Sequence, residues 1–175
     1  MDLAALLNGL GREDAERALE SCCAARKWVA KMLERLPFPA TETVFSAASE
    51  AWNELEREDY LEAFAAHPKI GEDPAALRER FAPTARWSGE EQAGLAGSSD
   101  ALLDELRQLN VSYRERFGYI FIVCATGKRA EEMLALLKFR LQHAPEEELR
   151  VAAAEQAKIT RLRLEKLITH SQEQA

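Results

Sequence analysis

The chain has 175 residues, of which 47% are hydrophobic and 30% are charged, and its formal net charge is −7. The length suits one domain, so we predict a single domain over residues 1–175. Because the acidic residues are scattered and no basic face is evident, we predict no nucleic-acid partner. No apolar run approaches the length needed to cross a bilayer, which predicts no membrane partner.

The N-terminal sequence and the cysteines predict a cytoplasmic protein. The opening MDLAALLNGLGRED lacks a basic leader with a long apolar core, and the final SQEQA is not a peroxisomal address. Cys22, Cys23 and Cys124 form no CxxC pair, so we interpret all three as reduced thiols. The three histidines lie far apart in sequence and none has a second ligand at helical spacing, so no metal site is predicted.

Helical periodicity dominates the chain and predicts an all-α fold, a bundle of about eight to ten helices. The CAARKWVAKMLERL run places Ala25, Trp28 and Leu36 on one apolar stripe, which the following PFP stops. In chain order, helices are predicted over residues 2–8, 12–20, 23–36, a stretch opened by Thr41, 57–66, a short piece near 74–80, 99–116, 130–142 and 146–169.

One stretch, FGYIFIVCATGK at residues 117–128, breaks this pattern because it is aromatic, β-branched and bounded by glycines. It is compatible with a short extended segment near 119–125 or with the end of a core helix. No other run offers a strand to pair with it. If the segment is extended and buried, its backbone groups need side chains, water or a ligand as partners.

His67 lies where an apolar helical run meets a proline. Pro68 disfavours helical geometry in the residue before it, so the helix should end at Ala66. The helix dipole at that point favours a protonated imidazole. His67 is therefore compatible with an exposed cap residue or with a proton donor that works near neutral pH.

Two further motifs have structural and functional interpretations. Ser88 and Glu91 form an S-x-x-E capping box, which explains both without a function but leaves Gln92 unexplained. In the last helix, Arg163 and Gln156 interrupt an otherwise apolar stripe, and a buried arginine requires a partner anion. That anion is either an internal carboxylate such as a glutamate, which is the commoner case, or an anionic substrate. Arg161 lies on a neighbouring stripe, so spacing alone does not choose between the two arginines.

Taken in order, these motifs resemble a known family. HPKIGE, then Ser88 with Glu91 and Gln92, then LNVSYRERFGYIFIVCATGK, then RLQH and KITRLRL follow one another as in the 2-oxo-4-hydroxy-4-carboxy-5-ureidoimidazoline (OHCU) decarboxylases of uric acid degradation. The resemblance covers nearly the whole chain and is densest over residues 60–167. It implies an all-α enzyme that needs no cofactor and converts OHCU to (S)-allantoin with loss of CO2.

The resemblance also implies the site residues. It makes His67, Glu91 and Arg163 catalytic and favours Arg163 over Arg161. The substrate-binding set that it implies is Pro68, Ser88, Gly89, Glu90, Glu91, Gln92, Phe121, Ile122, Val123, Cys124, Ala125 and Arg163. The implied partner is a small-molecule ureidoimidazoline, and a homodimer is left open. Many members have asparagine at the position of His143 and some have proline at that of Ile120, but neither belongs to the catalytic set.

The resemblance also implies a role for each catalytic residue. Arg163 would hold the anionic substrate, His67 would deliver a proton to one face, and Glu91 would act near the departing carboxylate or on the ureido group. Two alternatives stay open: a non-catalytic all-α interaction module, and an enzyme that acts on a related ureido or hydantoin substrate. A non-catalytic relative would be expected to lose one of the three catalytic residues, and none is lost.

Overall fold

The computed structural model describes residues 2–67, 95 and 97–173. The predicted all-α class is confirmed, and no strand is found within these ranges. The helices described are α1 (Leu3–Gly9), α2 (Arg12–Cys22), α3 (Arg26–Glu34), α4 (Thr41–Asn53), α5 (Arg57–Ala65), α6 (Asp100–Phe117), α7 (Ala130–Arg140) and α8 (Pro145–Glu173). The short helix predicted near 74–80 lies outside the described residues.

The helix ends follow local hydrogen-bonding chemistry. The Asp2 carboxylate accepts a hydrogen bond from the Ala5 N–H (2.8 Å) at the start of α1. Helix α5 ends at Ala65, one residue earlier than predicted, and the His67 N–H donates to the Phe64 carbonyl (3.1 Å) in the closing turn. The side chain of Ala65, the last residue of α5, is exposed.

The chain forms two compact units, of which the first comprises Met1–Ala63 and Ala157–Ala175. In it, α3 packs against α2 and α4, and α4 also packs against α1. Trp28 lies fully buried in this core, and its indole N–H donates to the Ala48 carbonyl (3.0 Å). The predicted apolar stripe of α3 is buried from Ala25 to Leu33, while Leu36 is half-buried.

The second unit comprises Phe64–Gln156, and in it α6 packs against α7. Its core is rich in aromatic side chains that surround Tyr113. The Tyr113 ring lies 4.7 Å from the Phe117 ring, 5.3 Å from that of Phe121 and 5.9 Å from that of Tyr119, measured between centroids. These tilted and edge-on geometries are those that aromatic pairs favour.

The stretch between α6 and α7 is neither helix nor strand. Gly118 (φ +83°) ends α6 in the left-handed conformation, and Gly127 (φ +78°) takes the same conformation in the turn before α7. Between them Phe121–Ala125 are buried. The core-helix interpretation of this stretch is therefore wrong, and no β-pairing with any described residue replaces it.

Gly118 provides a test of this geometry. We expect Gly118→Ala to lower the free energy of unfolding by about 1 kcal/mol, because a left-handed φ is strained for any residue with a Cβ. Gly9→Ala is the matched control, since Gly9 lies within α1 and neither position has an atom within 4 Å of an added Cβ. Urea denaturation that gives equal effects for the two substitutions would contradict the assignment.

Candidate active site

The structure describes two of the three parts of the predicted site. His67 and Phe121–Ala125 belong to the second unit, and Arg163 belongs to the first. His67 is half-buried, whereas Phe121–Ala125 and Arg163 are buried. The third part, which consists of Pro68, Ser88, Gly89, Glu90, Glu91 and Gln92, lies outside the described residues.

Side chains supply hydrogen-bond partners to the backbone of the segment at 121–125, which pairs with no neighbouring strand. Arg140 donates from Nη1 to the Ile122 carbonyl (2.7 Å). The Cys124 N–H donates to the Glu155 carboxylate (2.7 Å), and Lys128 donates from Nζ to the Cys124 carbonyl (2.8 Å). Three charged side chains therefore do here what a neighbouring strand does in a sheet.

The backbone groups of alternate residues in this segment have no such partners. Within the described residues, neither the N–H nor the C=O of Val123 makes a hydrogen bond, and the same holds for Phe121. Both residues are buried. Buried backbone groups are normally satisfied, so these groups are the part of the segment suited to a bound ligand.

Glu148 is the centre of a buried polar cluster that sequence reasoning missed. Its side chain is 0% exposed, and one carboxylate oxygen accepts hydrogen bonds from the Tyr113 hydroxyl and from Nε (2.8 Å) and Nη2 (2.5 Å) of Arg140. The other oxygen lies 2.7 Å from Nδ1 of His143. Burial, followed by the hydrogen bond to Glu148, raises the pKa of Tyr113 far above its usual range, so the phenol stays protonated.

This cluster is joined directly to the segment at 121–125. The Arg140 guanidinium that pairs with Glu148 also holds the Ile122 carbonyl and lies over the Phe121 ring, 4.6 Å from its centroid. In the sequence, Glu148 is one of three consecutive acids in the first turn of α8, and the positive end of the helix dipole is enough to explain them. The buried interior that surrounds it could not be read from that pattern.

The structure distinguishes the two arginines that sequence spacing left open. Arg163 is 1% exposed on the interior face of α8, together with Gln156 and Leu167, as the predicted stripe required. The Arg161 side chain is 60% exposed, pairs with Glu165 (3.1 Å) and covers the Phe45 ring. Arg161 therefore has a surface role, and Arg163 is the buried cation.

Cys23 shares the surroundings of Arg163 in the first unit. Its thiol is buried, makes a hydrogen bond with the Thr160 side chain and is close enough to Arg163 to interact electrostatically. Burial is the largest influence and raises the pKa of the thiol to about 11, against the lowering effects of the backbone of Ala25, of Thr160 and of Arg163. A thiol with so high a pKa is protonated and unreactive at neutral pH.

Neither a metal site nor a membrane-spanning helix is found in the part of the chain that the structure describes. No group of three or more His, Cys, Asp or Glu side chains there is arranged to hold a metal ion. None of the described helices combines the length and the apolar character that crossing a bilayer requires.

Comparison with known proteins confirms the resemblance predicted from the motifs. Residues 8–165 match the family model described as OHCU decarboxylase. The chain is 37% identical over 161 residues to the uric acid degradation bifunctional protein TTL of Arabidopsis thaliana, an alignment that covers 91% of the chain and 49% of that protein. It is 30% identical over 139 residues to the OHCU decarboxylase of Haloferax volcanii, which covers 78% of the chain and 79% of that protein.

Among solved structures, the fold is similar to a crystal structure of OHCU decarboxylase obtained in the presence of (S)-allantoin. The TM-score is 0.74 at 35% sequence identity, and the match covers 87% of this chain and 98% of that one. The chain thus spans nearly all of a solved relative, but about half the length of the bifunctional plant protein.

The Glu148 cluster gives a stability prediction. We expect Glu148→Gln to lower the free energy of unfolding by about 3 kcal/mol, because Arg140 is then left buried without a countercharge. Glu147→Gln is the matched control: it changes an exposed carboxylate in the same helical turn and should cost less than about 1 kcal/mol. Equal urea-denaturation midpoints for the two variants would show that the buried pair of Glu148 and Arg140 does not make this contribution to the free energy of unfolding.

Cys23 gives a pH prediction. Its pKa is raised in the folded state, so the folded protein keeps a proton that the unfolded chain releases, and stability falls as pH rises from about 9 to about 11. Cys23→Ala removes this contribution, so its stability relative to wild type should rise by about 2 kcal/mol across that window. A stability difference that stays constant with pH would contradict the assignment.

Proposed function

This chain belongs to the OHCU decarboxylase family, and we propose that it converts OHCU to (S)-allantoin and CO2 without a cofactor. Loss of CO2 leaves an electron pair on a ring carbon, which other decarboxylases delocalise into a bound cofactor. In OHCU the imidazoline ring itself accepts that pair. The work left to the protein is to position the substrate, to stabilise developing charge and to deliver one proton.

The observation that carries this proposal is the burial of Arg163. A guanidinium is always charged, and it is 1% exposed here on a helix face that is otherwise mainly apolar. In an enclosed setting such a cation interacts strongly with an anion, because little water screens the charges. OHCU carries a carboxylate, so Arg163 is suited to bind it and to stabilise the charge that spreads through the ring.

His67 is proposed to deliver the proton. It follows the end of α5 and is half-buried, and the chain turns there through the hydrogen bond from its N–H to Phe64. Protonation on one face of the planar intermediate sets the (S) configuration, which requires an acid fixed on that side. The turn that fixes the His67 backbone after α5 supports this proposed role.

The remaining roles are carried over from the resemblance. Glu91 is proposed to act near the departing carboxylate or on the ureido N–H groups, with Ser88 and Gln92 as hydrogen-bonding residues. The backbone of Phe121–Ala125 is proposed to bind the ring and the ureido group, since both are dense in donors and acceptors. The cytoplasmic location, the lack of nucleic-acid and membrane partners and the homodimer stay predictions.

A stereochemical assay tests the activity. OHCU is generated from urate in situ, the protein is added, and circular dichroism follows the formation of allantoin. We expect optically active (S)-allantoin to form faster than in the protein-free reaction, whose product is racemic. No faster rise of the circular dichroism signal would overturn the proposed function.

The two arginines give the sharpest substitution test in this assay. We expect Arg163→Ala to lower kcat/KM by about 100-fold or more, since it removes a buried charge that stabilises the transition state. Arg161→Ala removes an exposed arginine two residues away and should stay within about threefold of wild type. Arg163→Lys keeps the charge but lacks the planar guanidinium, so its kcat/KM should lie between the values of the two alanine variants.

His67→Ala is expected to keep the fold, measured by far-ultraviolet circular dichroism, and to lose most of the rate. Normal turnover by this variant would show that the acid–base role lies elsewhere. If Arg161→Ala lowered kcat/KM as much as Arg163→Ala, the assignment of the buried arginine would be wrong.

A further inference from the structure

Charged side chains hold the backbone of the segment at 121–125. Each of them bonds only one of the two polar groups of a peptide unit. The three contacts involve the Ile122 carbonyl, the Cys124 N–H and the Cys124 carbonyl, which belong to three successive peptide units. All three units are trans, since the one cis peptide bond among the described residues is Leu36–Pro37. In a trans peptide the C=O and the N–H point in opposite directions.

Each charged contact therefore fixes a second backbone group that points away from it. Arg140 at the Ile122 carbonyl directs the Val123 N–H away from the guanidinium. Glu155 at the Cys124 N–H does the same for the Val123 carbonyl, and Lys128 at the Cys124 carbonyl does so for the Ala125 N–H. Within the described residues these three opposite groups make no hydrogen bond.

The charges also have the sign that strengthens the opposite groups. A cation at a carbonyl draws electrons through the peptide and makes the N–H of the same unit a better donor. A carboxylate at an N–H makes the carbonyl of the same unit a better acceptor. The result is a strengthened donor, acceptor and donor at Val123 N–H, Val123 C=O and Ala125 N–H.

We infer that Arg140, Glu155 and Lys128 are positioning residues for substrate binding, which act through the backbone without touching the substrate. Their role rests on the proposed function, because a cyclic ureide offers C=O and N–H groups in alternation and is complementary to such a set. A side-chain site would reach the same pattern with flexible groups that must be ordered on binding. Charges behind the backbone keep it ordered beforehand.

Glu148 makes this arrangement stable on the Arg140 side. It binds Nε and Nη2 of Arg140, which leaves Nη1 directed to the Ile122 carbonyl. Arg140 is too deeply buried to test by removal without loss of the fold, since it is 3% exposed and paired with a fully buried carboxylate. Lys128 and Glu155 are half-buried, so substitution of either is compatible with a folded protein.

The test compares Lys128→Met and Glu155→Gln with matched controls. Lys138→Met removes a surface lysine that pairs with Glu105 (2.6 Å), and Glu147→Gln neutralises an exposed glutamate of α8. In the circular dichroism assay we expect KM to rise about three- to tenfold in both test variants, with kcat within about twofold of wild type, because uniform binding is weakened. Melting temperatures confirm that all four variants are folded.

Nuclear magnetic resonance gives a readout that does not depend on turnover. Lys128→Met should move the amide proton of Ala125 upfield by more than Lys138→Met does, because the peptide unit loses its polarising cation. If Lys128→Met and Glu155→Gln have the same KM values as their control variants, the inference is overturned while the proposed function stays intact.

A wild-type protein without activity would instead overturn the proposed function and the substrate role of these residues with it. The Ala125 shift then decides the remaining part of the inference. An upfield shift supports the backbone polarisation by Lys128, and an unchanged shift overturns that as well.

Discussion

The buried carboxylate of Glu148 is the constraint on which the second unit depends. Its oxygens form hydrogen bonds with Tyr113 in α6, with Arg140 at the end of α7 and with His143 in the connection to α8. A carboxylate with no exposed surface is costly to desolvate, and the cost is offset only if nearly every lone pair finds a donor. The three donors meet that condition in one arrangement of the helix ends, so the polar cluster specifies geometry that apolar packing alone would leave loose.

The irregular segment between α6 and α7 follows from this constraint. In a sheet, neighbouring strands form hydrogen bonds to the backbone groups on both edges of a strand. Charged side chains can instead bond the backbone groups on one edge and leave those on the other edge available. That difference explains how a buried non-helical stretch persists in an all-α protein. It also explains why the backbone, whose donors and acceptors cannot rotate once the peptide units are fixed, is suited to recognise a small polar ring.

Sequence reasoning was most successful where a repeating pattern decides the outcome. Helical spacing located the helices, identified the buried stripe of α8 and placed Arg163 on it, since periodicity reports which face turns inward. It did not identify Glu148 as buried, because an acid in the first turn of a helix is usually solvated and already explained by the dipole. It likewise missed Arg140, Glu155 and Lys128, whose partners are backbone groups distant in sequence and leave no local signal.

The two arginines of α8 show how strictly the length of this helix determines which side chains are buried. Each residue turns the helix by about 100°, so position on the chain and direction in space are tied together. Loss of one residue between 157 and 160 would bring Leu164 to the interior position of Arg163 and would place Arg161 where Thr160 is buried. A change in the length of this part of the helix would therefore exchange the residues at its buried and exposed positions, and with them the charge that the interior holds.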